Sequence, residues 1–345
     1  MVGVFASGRC SRWRHAANLT VRQGVSKTSP PGVITMFRFQ RSFSFVLCIC
    51  GAAAVQLQAA DQFTVKVVNG EYLDMVAAKG QPVLRYVYAR DTSTLERTFE
   101  TAKVFVHVMA PDGISTLTNG PDGKTYPHHR GIFIGWNKLT HGGKTHDLWH
   151  TRDTAQVHQK FVEIRTDGDG ATVTCLIDWI GNHGERVIEE TRTHRIAGQD
   201  EAYAVIDFVT ELKAVNGDVE LDGDPEHAGI QFRPSQQVAD NESAKYFFHE
   251  AGIDPREQLD LPWVAATFQV DDQAWTVQHM SHPGNPKGAR WSAYRNYGRF
   301  GPFTVVHIPA GQVQAFHYRF RVSRGESPSR EELAEQYEHY LKGSD

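Results

Sequence analysis

Three stretches of this sequence carry side chains that could do chemistry, and the first is the densest. Residues Tyr126 to Trp136 read Tyr-Pro-His-His-Arg-Gly-Ile-Phe-Ile-Gly-Trp, and His146-Asp-Leu-Trp-His150 follows ten residues later. With His141 between them, five histidines, Arg130, Asp147, Trp136 and Trp149 fall within 25 residues. Imidazoles titrate near neutral pH and ligate metals, so the cluster points to proton transfer or to metal binding. The second stretch is Asp222-Gly-Asp-Pro-Glu226-His227-Ala-Gly-Ile-Gln231-Phe-Arg233. Glu226 beside His227 offers a carboxylate and an imidazole as an acid–base pair. In an extended segment His227, Gln231 and Arg233 share one face, opposite Ala228, Ile230 and Phe232. Asp222 and Asp224 resemble part of a calcium loop, but its acidic repeat and closing Glu are absent.

The third stretch runs from His279-Met-Ser-His282-Pro-Gly-Asn285-Pro to Trp291-Ser-Ala-Tyr-Arg295-Asn-Tyr297. Pro283, Gly284 and Pro286 constrain the backbone around His282 and Asn285. Trp and Tyr faces stack on sugar rings while Arg, Asn and His reach their hydroxyls, so this is a physically sensible carbohydrate surface. Each stretch also has a plain structural alternative: a satisfied histidine beside a core strand, a solvated loop carboxylate, a packed aromatic loop. Scattered histidines such as His107, His158 and His339 read as structural.

The elements that must position these groups are almost all strands. Phe63 to Val68 alternates and ends in the hairpin signal Asn69-Gly70. Strand patterns recur at Pro82–Tyr88, Lys103–Met109, Lys160–Thr166, Thr172–Ile180, Glu185–Ile196, Ala202–Leu212 and Gly217–Leu221. They continue at Ile230–Arg233, Trp263–Val270, Ala274–His279, Phe303–Ile308 and Gln314–Val322. Turn residues about every ten positions predict an all-β fold, a large antiparallel β-sandwich, rather than βαβ units. One helix is expected, at the end: Ser329-Arg-Glu-Glu332 is a capping box, Leu333, Tyr337 and Leu341 share a face, and Gly343 stops it. If Pro127 to Trp136 is a strand, His128, Arg130 and Trp136 share one face and His129 the other. The adjacent histidines then point apart and do not clamp one metal. Gly131 and Gly135 mark a close backbone or ligand approach.

The first 60 residues read as a leader. Residues 1–35 look like an upstream extension, and Met36 opens a signal-peptide pattern: Arg38 and Arg41, the apolar run Phe43–Val55, then Ala59-Ala60 before Asp61. Cys50 follows Leu47-Cys-Ile, a poor match to a lipidation site. The expected location is therefore exported, periplasmic or extracellular. The leader holds seven basic and no acidic residues, so of 36 basic and 40 acidic residues the rest keeps 29 and 40, a formal net of −11. That charge argues against nucleic acid as a partner. No apolar run of about twenty residues follows Asp61, so no integral membrane segment is expected there. Cys175 alone remains beyond the leader, in an apolar strand, which leaves no internal disulfide. A sandwich over 61–325 and a helix with tail over 326–345 complete the expected organisation.

At these residues the chain resembles a bacterial domain family of unknown function labelled "methane oxygenase PmoA". Pro-His-His-Arg-Gly with a downstream Asp-Leu-Trp, Glu-His-Ala-Gly-Ile-Gln-Phe-Arg, and His-Pro-Gly-Asn-Pro followed by Trp and Arg-Asn-Tyr-Gly carry the resemblance, in that order, from about Phe63 to Arg324. It implies a secreted sandwich similar to the galactose-mutarotase-like folds, in which His, Arg and a carboxylate surround a sugar. The copper subunit that the label evokes is an integral membrane helix bundle, a fold this strand-rich chain does not share.

The leading expectation is an exported carbohydrate-active protein binding a small molecule or oligosaccharide. His128 or His129 would be acid or base, with Glu226 and His227 as the partner pair and His282 nearby. Arg130, Gln231, Arg233, Asn285 and Arg295 would hold hydroxyls or a uronic carboxylate, Asp147 would join them, and Trp149, Trp291 and Tyr297 would stack on the ring. Epimerase, hydrolase and lyase chemistry all fit. No cofactor is expected. The alternative is a metal enzyme, with a divalent ion held by His128, His150, His227 and His282; a third reading is a non-catalytic sugar-binding or scaffold module. Gly-x-Ser-x-Gly, phosphate-cradling, His-Glu-x-x-His and Cys-x-x-Cys patterns are all absent from the sequence.

Overall fold

A computed structural model describes residues 63–168, 170–197 and 202–343. The leader, with its signal pattern, and the last two residues of the tail lie outside the described residues. Alternating burial builds two packed sheets. The six-stranded sheet runs β1 (Thr64–Val68), β2 (Tyr72–Val76), β3 (Pro82–Val87), β4 (Phe105–Val108), β5 (Ile132–Trp136) and β13 (Ala228–Phe232), in that spatial order. A small sheet orders β19 (Val306–Ile308), β12 (Val219–Asp222), β6 (Lys138–His141) and β7 (Lys144–His146).

The eight-stranded sheet orders β14 (Lys245–Phe248), β15 (Trp263–Val270), β16 (Gln273–Ser281), β20 (Val313–Arg324), β11 (Ala204–Ala214), β10 (Arg186–Ala197), β9 (Gly170–Ile180) and β8 (Ala155–Asp167). β17 (Arg290–Trp291) pairs with β18 (Pro302–Phe303). Every named pairing is antiparallel. The expected all-β antiparallel sandwich is what forms.

The core lies between the two large sheets. Leu84, Val106, Ile132, Ile134, Ile230 and Phe232 face Val173, Ile177, Ile206, Phe208, Val277 and Phe320 across it. Period-two alternation turns every second residue the other way, so Phe133 and Gln231, cross-strand partners on β5 and β13, stand on the outer face of the six-stranded sheet. That outer face is where the site lies.

The C-terminal helix α3 (Arg330–Lys342) has the expected capping box, Ser329 and Glu332 each bonding the other's backbone N–H. Leu333 and Tyr340 bury it on the outer side of the eight-stranded sheet against Trp263, Ala265 and Met280. Two short helices were not expected from the pattern: α1 (Leu95–Glu100), capped by Thr94, and α2 (Gln236–Asn241). No helix among the described residues is long and apolar enough to cross a membrane.

The strand read from Pro127 begins only at Ile132. Tyr126 and Gly131 both adopt left-handed backbone, with φ of 55° and 54°, so the chain between them is a loop. A Cβ on Gly131 would overlap the Val106 carbonyl oxygen, which explains the glycine where the loop joins the sheet.

Candidate active site

Three segments meet above Phe133. The loop before β5 brings His128 and His129. Residues after β7 bring Asp147 and His150, seated because Gly135 leaves room for the Leu148 carbonyl, which a Cβ would strike. The turn before β13 brings Asp224, Glu226 and His227. Two non-glycine residues with positive φ, Tyr126 and Thr151 (56°), flank the histidine loops. Such backbone costs on the order of 1–3 kcal/mol each and persists where surroundings over-determine it. The Asn119 side chain donates to the His129 carbonyl at 2.9 Å. The Arg130 guanidinium donates to the carbonyls of Pro127, Glu100 and Phe99 at 3.0, 2.9 and 2.8 Å.

The imidazoles of His128 and His150 have centroids 4.6 Å apart, and those of His150 and His227 lie 5.0 Å apart. Two of these rings are held by one local device used twice. Asp147 accepts the backbone N–H groups of Trp149 and His150, and its other oxygen stands 2.7 Å from His150 Nδ1. Asp224 accepts the Glu226 N–H and meets His227 Nδ1 at 2.9 Å. A carboxylate on Nδ1 fixes the tautomer and leaves Nε2 to face a substrate. Burial, the largest single influence, pushes both aspartates up, but the imidazole and backbone hydrogen bonds together with the charge of His150 and His227 hold them below the usual carboxylate range.

Behind the rings the charge is positive. Lys103 is buried, donating to the carbonyls of His128 (3.1 Å) and Trp149, and lies 4.7 Å from the Phe133 centroid. Arg299, fully buried, donates to Gln231 Oε1 at 2.6 Å and to the Tyr297 hydroxyl at 3.3 Å. Arg233 donates to the carbonyls of Tyr297, Pro234 and Thr125. Burial pushes Lys103 well down and lowers Arg130 and Arg233 to about 10. Burial, then the charge of Lys103, pushes His128 down to about 2; burial and Arg299 push His129 well below the usual imidazole range. Both rings are neutral at ordinary pH.

The structure places the expected site residues unevenly. His128, His129, Asp147, Trp149, His150, Glu226, His227, Arg295 and Tyr297 gather in one cluster. His128 and His129 do not point apart: their rings are 4.2 Å from each other, because a loop rather than a strand carries them. Glu226 is not the partner of His227; it is exposed and forms an ion pair with Arg295 at 2.7 Å, while Asp224 takes the imidazole. Trp149 and Trp291 cannot stack on a ligand as they stand, since both are fully buried, Trp291 bonding the Leu261 carbonyl. Arg130 and Arg233 clamp loop carbonyls instead of reaching out. Gln231 serves Arg299.

His282 lies elsewhere, beside His317 and Tyr340 on the α3 side of the eight-stranded sheet. Asn285 is beside it, tying its turn to β20 through both the carbonyl and the N–H of His317. The second half of the opening cluster also parts company, His141 and His146 belonging to the β6–β7 hairpin. Asp222 pairs with Lys138 at 2.5 Å. Asp224, Lys103, Arg299 and half-exposed Tyr126 were missed. The twice-used Asp-x-x-His spacing would have found Asp224; nothing in the pattern marks Lys103 or Arg299. A cavity of about 850 Å³ beneath α3, lined by Arg195, Arg319, Arg321 and His339, is distinct from the imidazoles, and its Arg319 is already paired with Asp207 at 2.6 Å.

Fold and site together define an antiparallel β-sandwich protein with paired Asp–His modules on the outer face of one sheet. The chain belongs to the Family of unknown function (DUF6807), whose model matches residues 75–338. No curated protein matches the sequence. Among solved structures it is similar to galactose 1-epimerase from Lactobacillus acidophilus NCFM, with 8% identity and a TM-score of 0.37 over 76% of this chain and 98% of that one. A putative aldose 1-epimerase from Escherichia coli K12 gives 10% identity and a TM-score of 0.30 over 76% and 100%. Heparan sulfate lyase HepC from Pedobacter heparinus gives 8% and 0.36 over 77% of this chain but 37% of that one. The chain thus spans about a third of the length of such larger proteins. These neighbours are carbohydrate-active, and likeness at this level carries nothing about the reaction.

Proposed function

We propose that this protein is an acid–base enzyme acting on a sugar, with His150 and His227 as the proton-transfer pair. The observation that supports it is the twice-built Asp–His module. Asp147 and Asp224 orient two rings 5.0 Å apart, so one Nε2 can accept a proton while the other, protonated, donates one. His128, held neutral beside them, has a buried Nε2 without a hydrogen-bond partner, a group suited to a ligand hydroxyl. Tyr126 and Tyr297, with centroids 5.2 Å apart, give the rim an aromatic surface. Epimerisation, elimination and hydrolysis all use such a pair.

The test is proton NMR of neutral and acidic sugars incubated with the protein in D2O. Deuterium incorporation or bond cleavage, lost in His150→Asn and Asp224→Asn variants, is expected. Absence of both across the panel would leave a non-catalytic sugar-binding module.

A metal reading has one observation in its favour: the rings of His128 and His227 lie 4.6 and 5.0 Å from that of His150, with carboxylates behind two of the three. Among the described residues, however, no group of three His, Cys, Asp or Glu side chains is set to hold an ion, and the fourth candidate, His282, is remote. Stoichiometric metal in the purified protein, with activity lost in chelator, would reverse the order of the two readings.

A further inference from the structure

The imidazole cluster stands in front of four buried cations that make no salt bridge. Lys103, Arg130, Arg233 and Arg299 are each 1% exposed or less, and among the described residues none of them has a salt-bridge partner. Their hydrogen bonds go to neutral oxygens: carbonyls, the Gln231 amide and the Tyr297 hydroxyl. The nearby acids make their close contacts elsewhere, Asp147 with His150, Asp224 with His227, Glu226 with Arg295 and Glu100 with Arg97. Through space Asp147 still acts on Lys103, Glu100 on Arg130 and Asp240 on Arg233, whereas the leading influences on Arg299 are burial, Tyr297 and Arg295.

Several buried donors remain without acceptors. Arg299 Nη2, Arg233 Nε and Trp149 Nε1 make no hydrogen bond, nor does the His129 ring, with its one N–H and its one acceptor nitrogen. Arg299 lies over the Trp149 ring at 5.3 Å, and that ring stands 6.1 Å from His227. Buried unmatched charge and unmatched donors are each costly.

We propose that the ligand of this cleft is an anion, and that the anionic group is the carboxylate of a uronic acid. The inference rests on the sugar reading above and narrows it. A carboxylate at the imidazole edges meets the field of Lys103, Arg233 and Arg299, with Arg295 at the rim. Its planar pair of oxygens suits guanidinium and imidazole donors. A neutral sugar leaves Arg299, with its unpartnered Nη2, without an anion.

Calorimetry on the full chain tests this with D-glucuronate and D-galacturonate against D-glucose and D-galactose, plus inorganic phosphate, at low and high NaCl. The uronates should bind about tenfold or more tighter than their neutral counterparts and weaken severalfold at high salt. Arg299→Gln should remove most of that preference. Equal affinity for acidic and neutral sugars, or salt-independent uronate binding, overturns the proposal even if Arg299→Gln fails to fold. Phosphate binding as tightly as the uronates overturns it in favour of a general anion site. The two readings fail separately. Uronate binding without turnover sinks the enzyme and keeps this inference; turnover of neutral sugars with no acidic preference does the reverse.

Discussion

Two regions of this molecule bury arginine, and they treat its charge in opposite ways. In the sandwich interior, Arg192 meets Glu190 through two bonds of 2.6 and 2.8 Å. Glu190 in turn accepts Trp179 Nε1 and the Thr210 hydroxyl, each at 2.6 Å. One donor, Arg192 Nη1, is left without an acceptor, but the charge is matched. Behind the cleft, Arg299, Arg233 and Lys103 find only neutral oxygens. A fold that supplies a carboxylate in one place and withholds it in another separates structure from recognition. The interior charge completes itself, whereas the charge behind the imidazoles is the one we propose a ligand completes.

The sharpest way to break this contrast is to remove one partner on each side. Glu190→Gln leaves Arg192 buried and unbalanced, an expected loss of about 3–5 kcal/mol in chemical denaturation. Lys103→Met removes a buried amine that makes no salt bridge and whose pKa burial already pushes well down, and the relief offsets the two carbonyls it abandons. Its stability should stay within about 1 kcal/mol of wild type. Equal losses in the two variants would show that the cleft cations are as structural as Arg192.

Next in size is the effect on turnover. His150→Asn and Asp224→Asn should each reduce kcat about 100-fold or more, with little change in melting temperature, because general acid–base groups contribute about 10²–10⁴. The matched variant in the interior, His194→Asn, should touch stability and leave the residual enzyme's kcat intact. His194 is buried against Phe208 and Tyr86, far from any Asp–His module.

What could be read from sequence divides along the same line. Strand alternation, the Asn-Gly hairpin and the Ser329 capping box are local signals, so the sandwich and α3 were legible. The candidate cleft was legible as residue types, His128, His150 and His227, but not as partners. Glu226 looked like the mate of His227 because it is adjacent, yet adjacency along an Asx-type turn sends it to Arg295 and gives the ring to Asp224. His282 looked like a third wall because its turn is constrained, and that constraint serves β20. Arg299 and Lys103 carried no signal, since a buried cation is defined by what folds around it.

The pH dependence of stability resolves the cleft histidines from its carboxylates. His128 has a folded pKa depressed to about 2, against about 6.5 unfolded. Its contribution is complete above pH 6.5 and is lost as pH falls, because the unfolded chain takes up a proton the folded ring refuses. That loss runs at about 1.4 kcal/mol per pH unit. Asp147 and Asp224, held low, keep their contribution until about pH 4 and lose it below. Between pH 6 and 4 the histidines therefore act alone, and His128→Gln should lower the proton uptake on unfolding by about one. An unchanged slope would mean that His128 protonates in the folded protein and that the field behind it is weak.

The smallest effect tests the rim. Glu226 is exposed and its ion pair with Arg295 is short but open to solvent on the carboxylate side, a setting worth about 0–1 kcal/mol. Glu226→Gln should leave stability within about 0.5 kcal/mol and kcat within about threefold, whereas Asp224→Asn, two residues away, removes the carboxylate that orients the ring. If an unbalanced field defines the ligand, Glu226→Gln should also tighten uronate binding, since it frees Arg295 and removes a negative charge from the entrance. Weaker uronate binding in that variant would assign Glu226 a direct contact with the sugar and move the acid–base centre from the Asp224–His227 module to the rim.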